Sequence, residues 1–566
     1  MYLGRMVLAR LAILGLLLVA GCKQKTASAP APAPSAATSS PRPTGDKVVV
    51  TVAYGSEKKR WLEEQAAAFA KTAPSVAGGR PIEVKLVAQG SGEALRGIVS
   101  GSSRPTVFSP ASSVYLPLLN EAWAAKTARD RPLVTAGEPL VLSPVVVAMW
   151  RPMAEALGWP DKQLGWADLL AVNANPRGWG AFGHEEWGRF KLGHTHPEHS
   201  NSGLLAVLAE AYAGAGKTRG LTVADLDDPR TRKLVAAVEG TIVHYGKSTG
   251  FFADKMRERG PTYLSAAVLY ENLVIESYEK PGAVPLVALY PKEGTFWSDH
   301  PYAILDAEWV GPPEREAAEL LLAFLRARPA QERALALGFR PGDPAIAMGA
   351  PIDAAHGVDA KQPETLLEVP AAATLARLIE LWRENKKSTD VILVFDKSGS
   401  MAGRPLTQAK DGARTFLAAL APSDEATLLF FDSRVATPLG PLRIAEGRER
   451  LLAAVAGVNA DGGTALYDAL VAAAELSRAR AAKNPGRIHA IVVMTDGKDE
   501  NSRLALDAVK GRLRGGDIRL FTIAYGDGGA QSRGVLVALA EAAGGAHQDG
   551  GVESIVGIFE EMAAFL

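Results

Sequence analysis

Hydroxyls and carboxylates, with no cysteine and no histidine among them, mark the last third of the chain. Asp396, Ser398 and Ser400 sit in VILVFDKSGS, Thr464 in DGGTALYDAL, and Asp496 at the end of IHAIVVMTDG. Each follows an apolar strand-like run or lies in a glycine-rich loop, so all of them can meet at one edge of a sheet. Such donors make a hard oxygen site. It suits Mg²⁺ first, with Mn²⁺ or Ca²⁺ as alternatives, rather than zinc. The spare coordination position of such an ion can take an Asp or Glu carboxylate from a protein partner. Read singly, the same residues are ordinary helix caps and turns. It is the set, in order and at strand ends, that points to a metal.

A second group lies in the first half. Ser56, Gly90, Ser91, Gly92 and Ser109 close strand-like runs and offer hydroxyls and backbone N–H groups to an anion or a polyol. Ser200, Asn201 and Ser202 precede the helical run GLLAVLAEAY and can serve in the same way. Tyr270 and Glu271 follow SAAVL, where Glu271 can meet a cation or a ligand hydroxyl. Alone, each is equally a cap or a turn. Trp61, Trp123 and Trp297 are large enough to stack on a sugar, but they suit a core as well. His194, His196 and His199 cluster with Glu198 near His184. Zinc is conceivable there, although the spacing is not that of an HExxH helix and Pro197 interrupts any helix. The chain has no P-loop, no HExxH, no GxSxG elbow and no cysteine after Cys22. Nothing in it asks for catalysis, and a non-enzyme is expected.

The elements that must position these residues follow from texture. With 566 residues the chain holds two or more large units. Its formal net charge of zero speaks against a nucleic-acid binder working through a basic surface. The single cysteine, Cys22, cannot form an internal disulfide. Arg5 and Arg10 precede an apolar run from Leu11 to Val19, and Ala20-Gly21-Cys22 follows. The run is too short to span a membrane comfortably. The segment resembles a bacterial lipoprotein signal, which implies cleavage before Cys22 and lipid on its thiol. Lys23 permits the outer membrane if the cell is Gram-negative. Residues 22–46, rich in Pro, Ala and Ser, read as a disordered tether. From Lys47, strand-like VVVTVAYG, helix-like Lys59 to Lys71 and strand-like PIEVKLVAQ alternate, which predicts a parallel α/β sheet with ligands at the carboxyl ends of its strands.

Residues 47–387 resemble a bacterial extracellular solute-binding protein of the two-lobed periplasmic class. The likeness rests on AYGSEKKRWLEE, QGSGEA, FKLGHTHPEHSNSGL, YPKEGTFWSDHP and PAQERALALGFRP. It implies two α/β lobes that close on a small solute, with LVLSPVVVAMW and VPLVALYP as candidate crossing strands. Residues 388–566 resemble a von Willebrand factor A (VWA) domain, a Rossmann-like doubly wound α/β fold. There the DxSxS run, the GGT loop and the TDG strand end appear in the family's order. The resemblance implies a metal-ion-dependent adhesion site. Ser398 and Ser400 would ligate directly, Thr464 directly or through water, and Asp396 and Asp496 directly or from behind a water. Lys397 is expected to point away from the ion or to tune its field. The expected whole is a lipid-anchored envelope protein that captures a solute and grips a protein partner through a divalent cation. The alternatives are a structural adhesin with a non-binding spacer, or an accessory subunit of a transport or enzyme complex.

Overall fold

The computed structural model describes residues 47–549, apart from 128–130, 281, 497, 515–517, 525–529 and 544–546. Cys22, the signal-like segment and the tether lie outside the described residues. Strand Val48–Gly55 alternates buried Val48, Val50 and Val52 with more accessible neighbours and then turns inward at its carboxyl end. Helix Lys59–Lys71 follows, carrying Trp61, Leu62 and Phe69 on its buried face at helical spacing. Strands Ile82–Gln89 and Val107–Ser109 flank Val48–Gly55 in parallel register. Pro301–Ile304 and Glu138–Pro139 complete this five-stranded sheet antiparallel. This is the first lobe, and its loops at the strand ends carry Ser56, Gly90 and Ser109.

The chain leaves that sheet at Glu138–Pro139 and enters the second as Val141–Trp150, buried along nearly its whole length. The LVLSPVVVAMW run is therefore a crossing strand, as expected. VPLVALYP is not. Leu286–Leu289 stays inside the second sheet, paired antiparallel to Val141–Trp150. The return runs some ten residues later, from Trp297–Ser298 in the second sheet to Pro301–Ile304 in the first. An apolar run signals burial but does not say in which lobe. The polar Ser298-Asp299-His300 link between the two short strands makes the crossing. Ala266–Tyr270, Leu192–Thr195 and Ile242–Gly246 fill out the second sheet, within a stretch whose sequence reads mainly as helix.

Helices Pro312–Arg326 and Arg328–Ala336 return to the first lobe, where Leu321, Leu325 and Ala334 join Val50 and Trp61 in one core. Helix Ala372–Asn385 then packs on the second lobe and leads directly into Thr389–Asp396. The carboxyl-terminal unit is a six-stranded sheet in the order Leu439–Arg443, Glu425–Phe431, Thr389–Asp396, Ile488–Thr495, Ile518–Ala524, His547–Asp549. All its pairs are parallel except the edge strand Leu439–Arg443, which turns back antiparallel as TLLFFDSRVATPLG suggests. Thr389–Asp396 is buried on both faces, as a central parallel strand should be. Ile392 and Val394 pack on one side, and Val391, Leu393 and Phe395 on the other.

Candidate functional site

The central strand of the carboxyl-terminal sheet delivers Asp396 to its carboxyl edge, fully buried. The chain then turns through Lys397, whose N–H donates to Phe431 O at 2.9 Å. Asp396 Oδ1 accepts the Ser398 N–H at 2.9 Å, and Oδ2 accepts the Thr495 hydroxyl at 2.6 Å. The carboxylate is thus held from two strands. Ser398 Oγ lies 3.1 Å from Ser400 Oγ, the first buried and the second exposed. Asp496 follows Thr495 on the neighbouring strand. Its charge adds to the effect of burial, and together they hold the Asp396 carboxyl above its usual range despite the hydrogen bonds.

The Thr464 loop is sewn to the same edge. Gly399 N donates to Gly462 O and Asp461 N to Lys397 O, both at 2.8 Å. Gly462 has φ +77°, and a Cβ on Gly463 would fall 1.9 Å from Asn501 Oδ1. Only glycine lets the loop pass so close. Asn501 Oδ1 in turn accepts the Thr464 N–H at 2.9 Å. Lys397 points away and pairs with Asp432, beside the site and not in it. The structure therefore brings all five sequence-nominated residues to one edge. Hydroxyl and carboxylate oxygens in this setting fit a hard divalent cation, which would relieve the repulsion between Asp396 and Asp496.

The first-half candidates divide. Gly92 N and Glu93 N donate to His199 O of the opposite lobe, at 3.0 and 3.1 Å. A Cβ on Gly90 would fall 2.2 Å from His199 O, and one on Gly92 would fall 2.1 Å from Glu198 O. The helix-start amides expected to hold an anion are therefore occupied by the other lobe. The glycines permit that contact. Ser56 Oγ meets Ser248 Oγ and accepts the Gly250 N–H at 2.9 Å. Ser91 Oγ accepts from Ala111 N, Ser200 Oγ meets Thr249 Oγ1, and Ser202 Oγ lies between Thr195 and Thr249 hydroxyls. Glu271 is a correction. Its carboxylate is buried and gripped by Arg340 Nε and Nη2 at 2.8 and 2.7 Å, with Tyr290 OH as a third donor. The cation it meets is thus the chain's own Arg340, and its oxygens are taken up by that ion pair. Trp61 is also structural, buried with its Nε1 on Ala330 O.

Ser109 and Asn201 differ from these. Ser109 Oγ and Asn201 Oδ1 are buried and have no hydrogen-bonding partner among the described residues. Asn201 Nδ2 donates to Tyr270 OH at 2.8 Å and to Ser298 Oγ at 3.1 Å. Tyr270 stands edge-on to His300, whose buried Nε2 also lacks a partner. His300 Nδ1 approaches Lys58 Nζ at 3.3 Å, and Lys58 Nζ donates to Pro110 O, next to Ser109. Lys58 is fully buried beside Glu57. Burial pushes the Glu57 carboxyl up, but Lys58 and His300 outweigh it and hold it at about 2. Sequence reasoning missed Lys58, Glu57 and His300. The available signal was an acid–base doublet directly after a buried strand. A pocket of 270 Å³, lined by Ser56, Glu57, Arg60, Phe251, Arg257 and Glu276, opens where the lobes meet.

The family described as bacterial extracellular solute-binding protein matches residues 50–340, just over half of the chain. The chain belongs to that family. The von Willebrand factor type A domain family matches residues 390–549. This solute-binding protein thus carries a VWA domain, and both are binding modules. Inter-alpha-trypsin inhibitor heavy chain H4 of Bos taurus is 32% identical over 146 residues, 24% of this chain and 16% of that protein. An uncharacterized Synechocystis sp. protein is 31% identical over 161 residues, 28% of this chain and 36% of the other. The chain therefore spans well under two thirds of the length of these relatives. Among solved structures, a periplasmic thiamin binding protein has 13% identity and a TM-score of 0.44, covering 61% of this chain and 98% of its own. A von Willebrand factor type A structure from Catenulispora acidiphila has 23% identity and a TM-score of 0.28, covering 32% and 42%. Likenesses at these scores carry no functional inference. Among the described residues no helix is long and apolar enough to cross a membrane.

Proposed function

We propose that this chain is a non-catalytic, lipid-anchored protein of the bacterial envelope, tethered through Cys22, that binds a small solute between its lobes and a protein partner through a divalent cation in its VWA domain. One observation carries the reading. Ser398 Oγ and Ser400 Oγ stand 3.1 Å apart at a strand end, with buried Asp396 fixed behind them and the Thr464 loop and Asp496 alongside. Mg²⁺ fits these oxygens, with Mn²⁺ or Ca²⁺ as substitutes, and it would accept a partner's Asp or Glu in its open position. The solute half is supported by the unpartnered atoms of Ser109, Asn201 and His300 around buried Lys58. They suit a small polar molecule, such as a polyol or an anion, that supplies both donors and acceptors.

The test is calorimetry with the purified chain. Mg²⁺ uptake in the presence of an acidic peptide is expected in the wild type. It should be lost in Asp396→Ala and Ser398→Ala, with the unfolding midpoint little changed. Equal uptake by the variants would remove the metal from this site. A thermal-shift panel of polyols and oxyanions addresses the solute. If no compound stabilises the chain, the first two lobes are a spacer and the adhesin reading takes over.

A further inference from the structure

The second lobe holds a cluster that neither binding reading uses. His194 lies in strand Leu192–Thr195, Glu210 lies in helix Asn201–Ala215, and Glu239 ends helix Pro229–Glu239. All three side chains are fully buried, and one ligand atom from each lies within 4.8 Å of the others. His194 Nε2 is 3.0 Å from Glu239 Oε1. Glu239 Oε2 accepts Tyr245 OH at 2.7 Å and Trp382 Nε1 at 3.2 Å. Both carboxylate oxygens of Glu210 are buried without any hydrogen-bonding partner among the described residues.

From this arrangement we infer a structural site for a zinc-type divalent cation, ligated by His194 Nε2, Glu239 Oε1 and the Glu210 carboxylate. Three physical points favour it. His194 Nδ1 faces its neighbour's carbonyl, Thr195 O, at 2.7 Å. A carbonyl only accepts, so Nδ1 carries a proton, and Nε2 is left facing a carboxylate oxygen at 3.0 Å, with either a proton or a cation to bridge the two. That contact needs positive charge, and an imidazole that gives its other N–H to a carbonyl is the arrangement of a metal-bound histidine. Second, two carboxylates share a buried site, and among the described residues no lysine or arginine is bonded to either. Third, a proton on Nε2 would satisfy His194 and Glu239 but leave Glu210 with nothing to bond. A cation satisfies all three groups, and the two Glu210 oxygens would bring the donor count to four, the number of a closed zinc site. Nitrogen and carboxylate donors without sulfur suit zinc among the divalent ions of this affinity class. The ion would lock two helices and a strand together beneath Trp382, on the helix that leads into the VWA domain.

The test uses the full-length chain in two backgrounds, wild type and Asp396→Ala/Ser398→Ala, so that the VWA site contributes nothing in the second. After expression with zinc and gel filtration in EDTA, mass spectrometry of the metal should find about one equivalent of zinc in both backgrounds. Glu210→Gln and His194→Gln should each cut it by about tenfold or more. Should those variants fail to fold, wild type refolded from denaturant with EDTA should gain an unfolding-midpoint increase on adding Zn²⁺, and visible absorption on adding Co²⁺. Zinc retained equally by Glu210→Gln, or wild type that neither holds zinc nor responds to Zn²⁺ and Co²⁺ after refolding, would overturn the proposal and leave a proton-sharing cluster in its place.

Discussion

Thr495 gives its hydroxyl to Asp396 Oδ2 at 2.6 Å. It acts by orienting the carboxylate. Thr495→Val keeps the shape and removes the donor, so Mg²⁺ affinity is expected to fall by about tenfold, read by calorimetry, with little change in the fold. The Arg340–Glu271 pair works differently. Its side chains are 4% and 0% exposed. Removing the guanidinium strands a buried carboxylate, so Arg340→Met should destabilise by about 3–5 kcal/mol in urea unfolding. Adding Glu271→Gln should recover a large part of that loss, because the uncompensated charge is gone. Failure of the double variant to recover would mean that Arg340 matters for its bonds to Asp359 O and Ala360 O instead.

At the level of elements, the loop His196–Ser200 is the junction between lobes. Its His199 carbonyl caps the helix Ser91–Ser100 of the first lobe, and Arg96 of that helix reaches Glu198 O and the His199 ring. Burial, then Arg96 and Lys247, hold His199 down at about 3 from an ordinary 6.5. Between those values the unfolded chain binds a proton that the folded chain refuses. The contribution of this group is therefore complete above about pH 6.5 and drains as the pH falls toward 3. His199→Asn should flatten the fall of the unfolding midpoint between pH 7 and pH 5 in scanning calorimetry. An unchanged slope would assign the acid sensitivity to other groups, such as the buried His196 and His244, whose pKa values are also depressed.

Across the whole molecule, the solute-binding family match ends at residue 340, but the second lobe does not end there. Leu375, Leu378, Leu381 and Trp382 of helix Ala372–Asn385 are buried in the core that also holds Leu205, Val235 and Tyr245. A fragment covering residues 47–341 would expose that face. It should aggregate or unfold without cooperativity, whereas residues 47–387 should unfold cooperatively, as seen by circular dichroism during heating. The same helix touches the interlobe loop, with Arg383 paired to Glu198 and Trp382 packed against His196. Helix Ala372–Asn385 therefore joins the interlobe loop to the VWA domain through residues 386–388, and Arg519 of that domain also lies over the Tyr263 ring of the second lobe at 4.9 Å.

The gathering of the five candidate VWA residues was legible because a parallel sheet puts every strand's carboxyl end on one edge. Once VILVF and IHAIVVM are parallel strands, Asp396 and Asp496 share one edge, and the glycines around Thr464 announce a close loop; that the two strands are adjacent came from the structure. Local pattern likewise set strand Val48–Gly55, helix Lys59–Lys71 and the antiparallel edge after TLLFF. Contacts between distant segments left no such trace. Gly90 and Gly92 look like an anion-binding turn, and only the tertiary structure shows the His199 carbonyl already there. Glu271 looks available until Arg340, far along the chain, is folded against it. The histidine run at His194–His199 suggests a metal from neighbours in sequence. Folding splits it, sending His194 inward to Glu210 and Glu239 on separate helices and leaving His199 between the lobes. Periodicity fixes which face of an element is buried, but not which other element covers it. That choice is made by packing, which no local pattern records.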